Sequence, residues 1–514
     1  MPVYYPAGIC TLTENHPRMG KNPENHDRYV KRIVFFVLMA LMVMPAIQAR
    51  FSLLPEEPLN GAFQDAGKPS FQEFTRRSWL DGSFQEEFNN RLEHHIGFRN
   101  PLVRINNQLD FSIFNESNAE GVIIGEDLEL FEEDYLKEAT GIYYAGDSIW
   151  IRKAEQLKAV QDTLKSMGKH LAVIFEPGKA EFYPEKWPRK YRIPAHGISN
   201  YETMLRQFQQ KGVNILDLNA YFRMIRSNAS YPLFPQCGTH WSYYGAALAA
   251  DTTMAYLSRL TGKAFPKPVI TRLRPGDTIR HPDYDIGLAM NLVFPVRQPA
   301  TASFDLEFEH QAPSGTDVLI VGDSFYFNWL NDNIPARTFG SCDFWYYNKN
   351  ITRCDYTEGG RVQDLDFRQE VMKRDLILIM ITGRFNHAFA WNFDEELYNL
   401  FFPGYVDPVW KFSNDIRIYE DGFRRMVKES TELGMNLPDR INQEAEYLFY
   451  QDYKAHPEKY TERRDLIRLY ELGIRGTPEW MEKIREKAKI NGITVEEQLR
   501  RDAEWLYNEK YGKS

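Results

Sequence analysis

Cysteine is scarce, four in 514 residues, and none of the four stands at the spacing of a metal knuckle. No His-Glu-x-x-His helix, Walker loop or convincing dinucleotide fingerprint takes its place, so no metal and no cofactor is expected. Positive charge is in deficit as well. Lys and Arg number 62 against 71 Asp and Glu, a net charge of −9, and no basic stripe alternates with aromatics. A nucleic-acid partner is therefore not expected. Apolar and charged contents of 43% and 26% are those of an ordinary globular chain, long enough for two or three domains. What the chain does have is rings: aromatics reach 14%, with 29 Tyr and 10 Trp. Such rings line carbohydrate sites and also build ordinary cores, and composition leaves both readings open.

The N-terminus sets the compartment. Residues Ile33 to Ala49 carry no charge and follow Arg28, Lys31 and Arg32. The pattern predicts a short transmembrane signal anchor over 33–49, with 1–32 cytoplasmic and the rest of the chain extracytoplasmic, in the periplasm. The rival reading is a cleaved leader, for which Ala46-Ile-Gln-Ala49 offers a processing site. Cys10 falls on the cytoplasmic side, whereas Cys342 and Cys354 flank an aromatic stretch that a disulfide could close. Cys237 reads as a packed thiol.

Beyond the anchor, residues 50–119 read as a Pro- and Gly-containing stalk followed by amphipathic helix, with Phe84, Phe88, Leu92 and Ile96 at helical spacing. From 120 to 395 strands alternate with helices. Strands are expected at Gly121–Gly125, Leu171–Phe175, Val213–Asp217, Val318–Val321 and Leu376–Ile381, and helices over 150–167, 201–211 and Ala246–Leu260. This alternation predicts an α/β fold with a mostly parallel sheet covered by helices on both faces, whose ligands bind at the carboxyl ends of the strands. Residues 396–514 read as a helical C-terminal extension, its last two helices opened by Thr477 and Thr494, with no chemical signature. His94 and His95 sit on a helical pattern, where a surface or packing role outweighs metal binding.

Two segments carry chemistry. Asp317-Val-Leu-Ile-Val-Gly-Asp-Ser-Phe325 reads as a buried strand ending in a sharp turn with a serine, and Gly238-Thr-His-Trp-Ser242 supplies a histidine beside a ring. A serine hydroxyl is a weak nucleophile until a base takes its proton, so the pair points to acyl transfer. The backbone N–H of Ser324, at the start of an expected helix, is the natural oxyanion donor. Gly383, Arg384 and Asn386, past another strand end, are candidates for a second donor or for holding a sugar. Asp323 is expected to shape the turn.

Taken in order, an N-terminal anchor, Trp79-Leu-Asp-Gly-Ser-Phe-Gln85, Gly97-Phe-Arg99, Pro177-Gly-Lys179 with Tyr183, Gly238-Thr-His-Trp241 and Gly322-Asp-Ser-Phe325 resemble a known set. It is that of the SGNH-hydrolase-like polysaccharide O-acetyltransferases, the alginate acetylation proteins and the related group named for a DHHW motif. The resemblance spans roughly residues 75–390 and implies an SGNH-like acyltransferase domain, with Ser324 as nucleophile and His240 as base. It also implies a polysaccharide acceptor and a membrane-bound O-acyltransferase as acyl donor. Trp241 is a candidate substrate contact, and Lys179 is a candidate for positioning an anionic substrate or a plain surface lysine. Gly238 stands where the family pattern has the orienting Asp. Either another carboxylate, such as Asp217 at its strand end, approaches the imidazole, or a backbone carbonyl orients a Ser–His dyad. The alternatives to transfer are a carbohydrate-binding or assembly scaffold that has lost turnover, and a secreted carbohydrate esterase.

Overall fold

The structure, a computed structural model, describes residues 23–61, 74–279, 282–309 and 312–512. Cys10, most of the expected cytoplasmic segment and part of the expected stalk lie outside the described residues. Two compact units emerge. The first comprises the chain up to Leu109 with Asn291–Val293, and the second comprises Asp110–Met290 and Phe294–Ser514.

In the first unit the anchor segment is helical over Pro23–Phe51. Its Asp27–Phe51 portion has a mean hydropathy of 2.1 and is long and apolar enough to cross a membrane, with Arg28, Lys31 and Arg32 at its N-terminal end and Arg50 in its last turn. The amphipathic stretch after the stalk divides into three helices, Arg76–Leu80, Ser83–His95 and Arg99–Phe114. Gly82 breaks the first from the second at a φ of 84°, where a side chain would be strained. Thr75 and Ser78 cap the first helix reciprocally.

The second unit is built on a sheet. Its strands are β1 (Val122–Ile124), β2 (Leu130–Glu132), β3 (His170–Phe175), β4 (Ile215–Asp217), β5 (Pro268–Pro275), β6 (Ala302–Phe308), β7 (Asp317–Gly322), β8 (Ser341–Tyr346), β9 (Asn350–Arg353), β10 (Glu358–Arg361) and β11 (Leu376–Ile381). Seven of them form one sheet in the order β10-β9-β8-β7-β11-β3-β4. The five from β8 to β4 run parallel, and β9 and β10 add an antiparallel edge that the sequence reading did not separate. Strand residues alternate between two cores, as a period of two requires. Ala172, Ile174, Val318, Ile320, Leu378 and Met380 face one side, where the helix Tyr243–Thr261 and Trp329 cover them. Leu171, Val173, Leu319, Val321, Ile377 and Ile379 face the other, under the helices Asp147–Ser166 and Asn200–Lys211.

The covering helices have readable signals. Ile149, Leu157, Val160 and Leu164 recur at helical spacing and are buried. Ser199 and Glu202 form a capping box, and Gly212 closes that helix in the left-handed region at a φ of 72°. A disulfide joins Cys342 to Cys354 across the β8–β9 hairpin, with their Cα atoms 5.2 Å apart, and Cys237 is a buried free thiol.

The C-terminal helices belong to the same compact unit as the sheet. Those at Pro408–Ile418, Glu420–Leu433, Leu437–Ala455 and Arg463–Arg475 share a core that includes Val409, Phe423, Ile441 and Phe449 and takes in Tyr143. Of the two expected threonine caps, Thr494 accepts from the Glu497 N–H, whereas the Thr477 hydroxyl donates back to the Gly473 carbonyl.

Candidate active site

β7 carries Ser324 to the carboxyl edge of the sheet, in a turn just before the helix Tyr326–Asn331. Asp323 fixes that turn. One of its oxygens accepts from the Phe325 N–H at 3.1 Å, and the other accepts from the Thr382 N–H and hydroxyl at 2.9 and 2.8 Å. Burial raises the Asp323 carboxyl, partly offset by those hydrogen bonds. Its neighbour Glu176 is buried too and held well above the usual carboxylate range, by desolvation and by the proximity of Asp323. The Ser324 N–H donates to no protein acceptor among the described residues and is free to meet an oxyanion.

His240 arrives on the loop before the helix Tyr243–Thr261. Its Nε2 lies 2.8 Å from Ser324 Oγ. Its Nδ1 lies 2.7 Å from an Asp285 carboxylate oxygen. The carboxylate at the imidazole is thus Asp285, not Asp217. Asp217 caps the helix Leu218–Ile225 through the Ala220 N–H and accepts from the Tyr201 hydroxyl at 2.8 Å, so its oxygens are committed elsewhere. Asp285 is itself held. Its other oxygen accepts from the Thr239 N–H at 2.8 Å, and the Gly287 N–H ties the segment to the Cys237 carbonyl at 2.9 Å.

Gly238 explains the relocation. A Cβ there would sit 2.6 Å from Pro235 Cγ and 3.0 Å from the Asp283 carbonyl oxygen, in space that the Asp285-bearing loop already occupies. The serine, imidazole and carboxylate form one unbroken hydrogen-bonded line, the arrangement by which a serine hydroxyl is activated for attack on an acyl carbon. The His240 imidazole is held above its ordinary value. Burial pulls it down, but the hydrogen bond and charge of Asp285, with Glu132 and Asp323 beyond, outweigh that pull. Sequence spacing offered no route to Asp285, which is 45 residues from His240 and meets it only through the fold.

Residues 122–289 match the family model described as an SGNH hydrolase-like domain, acetyltransferase AlgX. That segment is similar to an SGNH hydrolase-like domain. The match takes in His240 and Asp285 and ends before Ser324. The curated relative named probable alginate O-acetylase AlgJ, from Pseudomonas putida, is 28% identical over 205 residues, which are 39% of this chain and 50% of the relative. The chain therefore spans about half the length of that relative. Among solved structures, the O-acetyltransferase domain of Pseudomonas putida AlgJ aligns with 54% of this chain and 99% of its own, at 18% identity and a TM-score of 0.36. Pseudomonas aeruginosa AlgX aligns with 55% and 67%, at 15% identity and a TM-score of 0.36.

The remaining expected residues take other places, Lys179 and Trp241 inside the matched segment and Gly383, Arg384 and Asn386 beyond it. Lys179 is not a substrate contact. Its side chain is 2% exposed, and its ammonium lies among the carbonyls of Leu130, Pro235, Gln236 and Gly238 and the Glu129 carboxylate. Trp241 is fully buried, donates to the Phe325 carbonyl at 3.2 Å and stacks on Trp329, so it packs the serine turn instead of touching a ligand. Asn386 donates to the buried Glu138 carboxylate at 3.0 Å. Gly383 backs directly onto the Glu181 carboxylate. Arg384 pairs with Glu132, Asp134 and Glu420. None of the three has a hydrogen bond to Ser324 or His240 among the described residues, because their segment meets the serine turn through Thr382 and Asp323. Among the described residues, no group of three or more His, Cys, Asp or Glu could hold a metal ion.

Proposed function

We propose that this chain transfers an acyl group, most simply acetyl, to hydroxyls of a cell-surface or exported polysaccharide. The observation that carries the reading is the continuous line from Ser324 Oγ through His240 to Asp285. His240 Nε2 takes the Ser324 proton as Oγ attacks the donor's acyl carbon. The tetrahedral oxyanion meets the free Ser324 N–H, and His240 returns the proton to the leaving group as the acyl-serine forms. A sugar hydroxyl then repeats the sequence in reverse, losing its proton to His240, taking the acyl group and leaving Ser324 Oγ protonated again. Asp285 fixes the imidazole tautomer and stabilises the imidazolium throughout.

The apolar N-terminal helix supports a single-pass anchor with the SGNH-like domain outside the cytoplasm, in the periplasm. There the domain takes its acyl group from a membrane-bound O-acyltransferase, the partner that the resemblance implies. The scaffold reading rested on Gly238, and a carboxylate at His240 Nδ1 removes that ground.

The test is intact-mass spectrometry of the full chain after exposure to an activated acetyl ester. The expected result is a single acetyl adduct that Ser324→Ala lacks and that a polysaccharide acceptor discharges faster than water does. A folded wild type that forms no adduct sinks the proposal, and discharge to water alone turns it into an esterase.

The pH dependence follows from the direction of the His240 shift. The imidazole accepts a proton only when neutral, so the acylation rate rises with pH along a limb whose midpoint lies above the ordinary histidine value. Stopped single-turnover acylation from pH 5 to pH 9 measures it. A limb at or below the ordinary value means that Asp285 does not act on the base.

A further inference from the structure

A cavity of about 240 Å³ opens in the compact unit that also holds Ser324 and His240. Its walls hang from the strands that flank β7 on either side. Tyr347 and Lys349 follow β8, and the Tyr347 N–H donates to the Gly322 carbonyl at 3.0 Å, two residues before Ser324. Arg384, Phe385, His387 and Trp391 follow β11, just past the Thr382 that holds Asp323. The C-terminal helices close it with Tyr419, Glu420, Asp421, Phe423 and Arg424, a region beyond the matched family segment.

Three features point to a ligand. Tyr347, Phe385 and Trp391 form a cluster of mutually tilted rings with centroids 5.0 to 5.4 Å apart, an apolar wall against which the C–H face of a sugar ring can pack. His387 lines the same wall and stacks on Phe423 at 3.8 Å, which extends the apolar surface toward the C-terminal helices. Arg384, Arg424, Asp134 and Glu420 interlock in ion pairs and present donors and acceptors side by side, as a hydroxyl-rich ligand requires. The volume falls below the range of about 300–1,000 Å³ for drug-sized ligands and suits one sugar unit.

The charges decide which sugar. The lining holds three cations, Lys349, Arg384 and Arg424, and three carboxylates, Asp134, Glu420 and Asp421. A subsite for a uronate would carry a surplus of cations, and here each arginine is already engaged by carboxylates.

We infer that this cavity is an acceptor subsite for an uncharged sugar unit of the polysaccharide, held beside the hydroxyl to be acylated and built in part by the C-terminal helices. The inference rests on the acyl-transfer reading. Its test does not need transfer, because binding is measured on the full-length Ser324→Ala protein.

Isothermal titration with a panel of neutral hexose tetrasaccharides and with a matched uronate tetrasaccharide is the experiment. At least one neutral member is expected to bind more tightly than the uronate. Tyr419 is 68% exposed, so Tyr419→Ala leaves the fold intact and is expected to weaken binding by roughly threefold to tenfold. Lys349→Glu is expected to change binding of the neutral sugar by less than about twofold, as an exposed charge meeting no charge should. In the active protein, Tyr419→Ala raises the acceptor KM and leaves the acetyl adduct on Ser324 unchanged. Preference for the uronate with loss on Lys349→Glu, or neutral binding indifferent to Tyr419→Ala, or no binding by any sugar, each overturns the assignment. If the sugars bind as expected but Ser324 never acquires an acyl group, the subsite stands and the transfer reading falls.

Discussion

Asp285→Asn is expected to lower the rate of Ser324 acylation by about 10⁴-fold in a protein that still folds. The carboxamide retains an oxygen for the Thr239 N–H that Asp285 Oδ1 now accepts at 2.8 Å. What remains to face His240 Nδ1 is then an NH₂ in place of a carboxylate oxygen. An N–H donor there forces the imidazole proton onto Nε2, the atom 2.8 Å from Ser324 Oγ, so the base no longer offers a lone pair to the hydroxyl. The electrostatic part acts in the same direction, because the imidazolium formed during attack loses its counter-charge. The same variant moves the acidic limb of the pH profile downward, since Asp285 is the chief group raising the imidazole. Gly238→Asp does not restore the rate in Asp285→Asn. The new side chain starts 2.6 Å from Pro235 Cγ and presses on the Asp283 carbonyl, in the segment that leads into residue 285. Acylation within about tenfold of wild type in Asp285→Asn removes Asp285 from the mechanism. Rescue by Gly238→Asp shows that the carboxylate site lies at 238 after all. Single-turnover mass spectrometry with an activated ester reads both.

How much of this was legible depended on whether the signal was local. The parallel core was, because β3, β7 and β11 are short apolar runs bounded by polar turns, and helix caps such as Ser199–Glu202 lie within four residues of each other. The serine and the histidine were named from their segments, and the fold brings them together. Asp285 was invisible for a physical reason. It stands 45 residues from its partner, at the start of the short helix Asp285–Ala289, and only the packing of that segment against Cys237–Thr239 delivers it. The glycine that looked like a missing acid is the space through which the acid's loop approaches. Lys179 misled for the opposite reason. A lysine in a loop after a strand looks like a surface or substrate contact, and nothing local announces that five oxygens from two distant segments converge on its ammonium. The role of Tyr419 and Arg424 as cavity walls was hidden in the same way, since the C-terminal helices show only amphipathic spacing in sequence.

Lys179→Met is expected to destabilise the protein by about 3–5 kcal/mol, the cost of leaving a buried charge uncompensated. Methionine keeps the apolar stem and removes the ammonium. The Glu129 carboxylate, 2.8 Å from Nζ, then loses its counter-charge, and four carbonyl oxygens between 2.7 and 2.9 Å from Nζ lose their shared donor. Three of those carbonyls belong to Pro235, Gln236 and Gly238, the strand of loop immediately before His240. The loss therefore falls twice, on global stability and on the placement of the imidazole. Urea unfolding of the detergent-solubilised chain, followed by near-ultraviolet circular dichroism, measures the first. The acetylation rate of the fraction still folded measures the second. A lysine serving only to attract an anionic substrate would leave the unfolding midpoint where it is and raise a KM. A structural lysine lowers the midpoint, and the double variant with Glu129→Gln recovers part of the loss, because it removes the stranded carboxylate while the orphaned carbonyls remain. An unchanged midpoint in Lys179→Met would return Lys179 to the substrate, and a midpoint that Glu129→Gln does not raise would assign the whole cost to the carbonyls.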